Sequence, residues 1–435
     1  MSTPRLRRLG PDEIATLRRE ADAAAIEAEA RRIVEAVREG GEAALRAHAE
    51  RLGDLGPDDP LVRTPAEMQL ALASLPDERR AALERTAERI RTFAEAQRSA
   101  ICDVSIPVPG GAAGHRILPL ERAGCYAPGG RFPLPSSVLM TGLTARAAGV
   151  PTVWVASPRP TLETLAAAAL CDADGLLAVG GAQAIAALAF GAGPVPRCDI
   201  VVGPGNRWVT AAKRAVAGEV AIDMLAGPSE LVVVADASAS PARVAADLLA
   251  QAEHDPHALP VLLTPSDALA DAVDREITRQ LATLPTAATA AQAIARGALV
   301  VCEDVEHALA LAERLAPEHL QLHLEDAPGW LPRCGRYGAL FVGEHAAEVL
   351  GDYGAGPNHT LPTGGSARAF AGLSVFTFLR ARTWLRIDEP ARARELYEDA
   401  AALARMEGLA AHERAATMRL AALERGERPE DASRP

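Results

Sequence analysis

Short, uninterrupted apolar runs alternating with alanine-rich segments of helical period are the feature that most restricts how this chain can fold. "TVWVAS", "GLLAVG", "DIVVG" and "ELVVVAD" are the runs, and "TLETLAAAAL", "AQAIAALAFG" and "NRWVTAAKRAVAG" separate them. A strand that is apolar at every position, not only at alternate ones, is covered on both faces, and strands divided by helices pair in parallel. The rhythm restarts with "PARVAADLLAQAEHD", "LPVLLT", "ALADAVDREITRQLATL", "ALVVC" and "ALALAERLA". The likeness between the two sets is too weak to read as a sequence repeat. We therefore expect an α/β protein with two Rossmann-like parallel-sheet domains, at 122–235 and 236–383. Before them, 1–121 reads as a helical region leading into the first α/β domain, on the strength of "PDERRAALERTAERIRTFAEAQ". After them, 384–435 reads as a helical C-terminal arm, on "RARELYEDAAALARMEGLAAHERAATMRLAALERG".

With 435 residues, 49% of them hydrophobic, the chain has material for more than one core. Its net charge of −12, with Lys and Arg scattered among acids, offers no surface for nucleic acid. No apolar run of signal-peptide length follows "MSTPRLRRLG", and none approaches the roughly 18–20 residues of a membrane span. A cytoplasmic protein that works on small molecules is the expectation. The cysteines Cys102, Cys125, Cys171, Cys198, Cys302 and Cys334 include no C-x-x-C pair, which argues against a thiolate zinc site or a disulfide framework.

Several stretches place chemistry-bearing residues where such a fold could use them. "VVGPGNRWVTAAKRAV" and "AVGGAQAIAAL" set glycines between a strand and a helix, where backbone N–H groups can meet a phosphate. Neither carries the G-x-G-x-x-G fingerprint, so each alone reads as a tight turn. Two such turns in neighbouring units favour a ligand in the crevice at the strand ends. In "LLAQAEHDPHALP", Gln251 and His254 stand three apart in a helix and share a face that could grip one ion. "LAPEHLQL" puts Glu318 and His319 side by side in an apolar setting, and "GDYGAGPNHTLPTGG" is a glycine-rich loop bearing Asp352 and His359. "IDMLAGPSELVVV" carries Ser229 just before a strand, and "MEGLAAHERAA" places Glu407 and His412 five apart on a helix, a poor spacing for one shared face. Taken singly, each also fits a turn, a flexible loop or a solvated surface.

Together, in order and in spacing, "YAPGGRFPLPSSVLMT", "GGAQAIAALAFG", "GPGNRWVTAAKR", "IDMLAGPSE", "QAEHD", "APEHLQL", "GDYGAGPNHTLPT" and "GLAAHERAATMRL" resemble the histidinol dehydrogenase family. The resemblance runs from about Arg122 to Leu423. It implies an NAD-linked, zinc-dependent, four-electron oxidation of L-histidinol to L-histidine through histidinaldehyde, the last step of histidine biosynthesis. It implies one Zn2+ per subunit, with ligands falling on Gln251, His254, Asp352 and His412. Glu318 and His319 are then the catalytic proton-handling pair. Substrate contacts fall on Ser229, His319, His359 and Glu407 together with the four zinc ligands, and NAD contacts fall on Tyr126, Gln183 and Asn206. A carboxylate at Glu407 suits an imidazole N–H, which favours histidinol as the substrate. The family also implies a homodimer in which the C-terminal arm completes the partner's site. A related zinc and NAD dehydrogenase of another small hydroxylated compound is the alternative reading. A protein that only binds metal is disfavoured, because it has no use for a general base.

Overall fold

A computed structural model of the chain describes residues 4–17, 23–129 and 133–425. The continuous apolar runs form strands, and the strands assemble into two parallel sheets of the same topology. In the first sheet the spatial order is Val62–Arg63, Gly175–Leu177, Thr152–Ala156, Arg122–Tyr126, Ile200–Val202 and Ala221–Ile222. Every pairing is parallel except that of the edge strand Val62–Arg63. In the second sheet the order is Arg7–Arg8, Ala298–Val301, Leu259–Thr264, Glu230–Ala235, His319–His323 and Ala339–Val342, parallel throughout. Numbered from the central strand, both sheets read third, second, first, fourth, fifth, and each is extended beyond its third strand by a two-residue strand from the N-terminal region. The repeat that sequence likeness hides is thus present in the topology.

Side-chain alternation shows why the strands are apolar at every position. Leu231, Val233 and Ala235 face a cluster under the helices Pro241–His254, Asp267–Leu281 and Ala287–Arg296. Val232 and Val234 face the opposite cluster, under the helix Val305–Leu315. Each such Val or Leu, fully buried, contributes about 1.5–3 kcal/mol of hydrophobic stabilisation. Asp304 caps that last helix by accepting the His307 N–H, and Ala316, in the left-handed region at φ 46°, ends it and turns the chain into His319–His323.

The N-terminal region is helical as expected from Ala23–Arg51, interrupted at Gly41, through Pro65–Ser74 to Asp77–Ser99. Beyond Ser99 it departs from that expectation: Val104–Val108 and Gly111–Pro119 are strands. With Leu379–Ile387 they make a three-stranded antiparallel sheet in which Gly111–Pro119 is central. This sheet and the helices Arg394–Met406 and Ala410–Glu424 form a second unit, residues 99–119 and 379–435, separate from the unit of 1–98 and 120–378. Among the described residues no helix is long and apolar enough to cross a membrane.

Candidate functional site

The segment that opens the strand His319–His323 builds the site. Glu318 and His319 stand at the amino edge of the second sheet, beside the first residue of the neighbouring strand, Glu230. Glu230 presents its backbone to both of them. Its N–H donates to Glu318 Oε2 at 2.8 Å, and its carbonyl accepts from His319 Nδ1 at 3.0 Å. With the Nδ1 proton so engaged, Nε2 is the nitrogen left to take up a proton. Burial lowers the His319 pKa to about 4 and keeps the ring neutral, outweighing Asp352, which pulls the other way. Burial likewise drives Glu318 well above the usual carboxylate range, against the hydrogen bond from Glu230 and with help from the Asp352 charge.

Two further elements converge on the same edge. Gln251 and His254 occupy the last turn of the helix Pro241–His254, whose face also meets the strand through Asp247, the acceptor for Gln321 Nε2 at 2.7 Å. Glu348 and Asp352 lie one turn apart in the short helix Glu348–Asp352. His254 Nε2 is 3.4 Å from Asp352 Oδ2. That hydrogen bond, opposed by burial, raises the His254 pKa, and although burial pushes Asp352 up, the bond and the surrounding histidines hold it below its ordinary value. His254, Glu348 and Asp352 offer ligand atoms that all lie within 4.8 Å of one another. Gln251 is fully buried. One atom of its amide lies 3.0 Å from Glu348 Oε1, 3.2 Å from Glu230 O and 3.1 Å from His319 Nδ1; the two oxygens favour the nitrogen at that place, with the amide oxygen turned away from them. Histidine, carboxylate and amide oxygen are a donor set suited to a borderline cation such as zinc, and the buried Glu348 Oε2, which has no hydrogen-bond partner among the described residues, fits the same purpose.

His359 joins the group through its Nδ1, which donates to Asp352 O at 2.8 Å. Burial depresses its pKa. The loop that carries it is fixed by Asn358 Nδ2, which donates to Met140 O at 2.8 Å. Ser229 immediately precedes Glu230 at the same edge, and its carbonyl accepts from Leu259 N at 2.9 Å. In open α/β sheets ligands usually sit at the carboxyl edge. Here the polar cluster of the second sheet gathers at the amino edge, because Glu318 and Glu230 begin their strands and the last turn of Pro241–His254 returns to that side.

The first sheet follows the usual rule. Tyr126 ends the strand Arg122–Tyr126, Asn206 follows Ile200–Val202, and between these two strands the winding direction reverses. The Tyr126 hydroxyl accepts from Gly181 N at 3.2 Å, two residues before Gln183. Gln183 is buried, and among the described residues neither amide atom has a hydrogen-bond partner. Asn206 Oδ1 caps the helix Arg207–Val216, accepting from Trp208 N at 3.0 Å and Val209 N at 3.2 Å.

Glu407 and His412 belong to the other unit. A left-handed Gly408, φ 75°, separates the two helices there, so the pair does not lie on one helix, contrary to the expectation from the helical texture of that segment. Instead both line a shallow groove of about 380 Å³ with Tyr397, Leu403, Leu409 and Arg419. Sequence reading missed Glu348. Its signal is the four-residue step to Asp352, which a helix of only five residues leading into the glycine-rich loop barely announces.

The fold and the clustered groups define a doubly wound α/β protein with a candidate cation site beside a buried carboxyl–imidazole pair. A family model described as histidinol dehydrogenase matches residues 16–420. The chain is 48% identical over 392 residues to a histidinol dehydrogenase of Thermus thermophilus, covering 89% of this chain and 93% of that one. It is 42% identical over 401 residues to that of Pseudomonas putida, covering 91% and 90%. The crystal structure of histidinol dehydrogenase from Elizabethkingia anophelis superposes with a TM-score of 0.89 at 30% identity, covering 98% of this chain and 100% of that one. The chain belongs to the histidinol dehydrogenase family.

Proposed function

We propose that the chain oxidises L-histidinol to L-histidine in two NAD-linked steps, with Glu318 and His319 as its proton-handling groups. Dehydrogenation of histidinol follows from family membership, and the arrangement of those two side chains around the Glu230 backbone supports their roles. His319, neutral through the physiological range, takes the alcohol proton on Nε2 as the carbon gives up a hydride, and an aldehyde results. Glu318 then removes a proton from water so that the oxygen can add to the aldehyde carbon. A carboxylate whose pKa lies above the usual range is a better base for that purpose than an exposed one. The proton held by His319 passes to the former carbonyl oxygen, which frees Nε2 to accept the diol proton in the second oxidation. Zinc held by Gln251, His254, Asp352 and the partner's His412 would fix the amino alcohol in place, and NAD at Tyr126, Gln183 and Asn206 would accept each hydride. The orphaned amide of Gln183 is the observation that favours a ligand in the first-sheet crevice.

In this reading the first sheet and its helices carry the coenzyme, while the second sheet carries the catalytic pair and most metal ligands; that sheet includes Glu230–Ala235, which the expected boundary at 235 groups with the first. The helices Arg394–Met406 and Ala410–Glu424 reach a second copy of the chain. Exposure of the arm supports the last point. Met406 is 80% and Met418 64% exposed, and apolar side chains so open call for a covering surface. Ser229, His359 and Glu407 complete the substrate contacts. A steady-state assay of histidinol against other amino alcohols, run before and after chelation, tests the proposal. Turnover of histidinol that chelation abolishes and zinc restores is expected. Preference for a different alcohol, or full activity in metal-free protein, would reject it.

A further inference from the structure

We infer that Lys213 and Asp223 act as a positioning pair that holds the coenzyme loop in its binding form. The inference rests on the placement of NAD at Tyr126, Gln183 and Asn206 proposed above. Lys213 sits on the inner face of the helix Arg207–Val216 and Asp223 just after the strand Ala221–Ile222, and their side chains are 2% and 0% exposed. An ion pair so buried gives up the hydration of two charges, and it persists only where other groups satisfy both ends. The groups that do so are the two sides of one residue. Lys213 Nζ donates to Gly203 O at 3.0 Å and to Asp223 Oδ1, while Asp223 Oδ2 accepts from Gly203 N at 2.8 Å. Asp223 Oδ1 accepts from Met224 N at 2.7 Å as well.

Gly203 needs that grip. Its φ of 115° is available to glycine, and a Cβ there would lie 2.0 Å from Tyr126 O. The pair therefore presses the start of the loop "GPGN" against the backbone of Tyr126 and sets where Asn206 begins its helix. The segment that leaves Asp223 runs to Glu230, whose backbone holds Glu318 and His319, so one short connector is anchored at the coenzyme crevice by one end and at the acid–base pair by the other.

The test is a titration of the holoenzyme with NAD, with histidinol and zinc affinities measured beside it. In the double variant Lys213→Met/Asp223→Asn the charges leave together, Asn keeps an acceptor for Gly203 N, and the donor to Gly203 O is lost. We expect NAD affinity to fall about tenfold, or about 1.4 kcal/mol, with histidinol and zinc affinities within twofold of wild type. Lys213→Gln leaves Asp223 in place on its two backbone donors, and it provides the same reading at smaller amplitude, about threefold, should the double variant not fold. Lys213→Arg should restore much of the NAD affinity. A lowered melting temperature with unchanged NAD affinity would mean that the pair only stabilises packing, and equal loss of all three affinities would mean a global defect; either overturns the inference. Wild-type protein that binds no NAD would remove the coenzyme reading itself and this inference with it.

Discussion

Replacing Glu348 by Gln removes one buried negative charge from the candidate cation site and leaves the shape nearly unchanged. A cation among the ligand atoms of His254, Glu348 and Asp352 lies within their mutual spacing of 4.8 Å. Even at that largest separation two unit charges attract by about 3.5 kcal/mol at an effective dielectric of about 20, and a closer, divalent ion is attracted more strongly. Two effects reduce it. Burial, together with the Asp352 and Glu318 charges, drives the Glu348 pKa well up, so a cation must first displace a proton. The substituted amide can also still meet the Gln251 amide that now faces Glu348 Oε1 at 3.0 Å. We expect zinc affinity to fall about 10- to 100-fold, or about 1.4–2.8 kcal/mol, comparable to losses when groups supporting a metal site are removed. Competition against a chromophoric chelator at neutral pH measures it directly, without reliance on turnover. Zinc binding by Glu348→Gln within twofold of wild type would refute the reasoning that Glu348 belongs to this site.

The two neighbours Glu318 and His319 should separate in single-turnover kinetics: His319→Asn slows both hydride transfers, whereas Glu318→Gln slows mainly the second and lets an aldehyde-level intermediate accumulate. Equal slowing of both steps by Glu318→Gln, with nothing accumulating, would reject that division. For stability, His319 has a folded pKa of about 4 against 6.5 unfolded, so the unfolded chain binds more protons in that window and stability falls as pH drops from 6.5 to 4. The contribution is about 3 kcal/mol, and denaturant midpoints of metal-free wild type and His319→Asn should diverge across that range; parallel curves count against it. For the shared site, a His254→Ala chain refolded with a His412→Ala chain should recover roughly a quarter of wild-type activity, because about half the dimers are mixed and each has one intact site. Recovery no greater than that of the parents, with mixed dimers confirmed by mass, would place His412 in its own subunit's site.

Continuous burial made the central strands legible. Thr152–Ala156 and Glu230–Ala235 are apolar along nearly their whole length, and no other element in a soluble fold explains such a run between two helices. The strands that escaped reading are the ones without that signature. Arg7–Arg8 and Val62–Arg63 are two residues long at sheet edges, and Gly111–Pro119 holds small and polar residues whose partner, Leu379–Ile387, lies far along the chain. Pairing of that sort is decided by tertiary contacts and leaves little local trace. At the site, Gln251 and His254 were legible because helical spacing places them on one face, and Glu318 and His319 because two titratable groups stood in an apolar strand. Glu348 was not, since its helix has five residues inside a glycine-rich stretch. The groove at Glu407 and His412 depended on a reversal at Gly408 that the five-residue spacing concealed. The hold of the Glu230 backbone on both Glu318 and His319 was likewise beyond sequence, because it joins strands separated by two further strands and their helices.

The account stands most directly on the number of hydrides taken from each substrate molecule. NADH formed per histidinol consumed, measured to completion in zinc-loaded protein with free aldehyde trapped, should equal two, with histidine as the product and no aldehyde released. A ratio of one, with aldehyde recovered in the trap, would contradict the assignment of Glu318 and His319 to successive steps of one enclosed reaction.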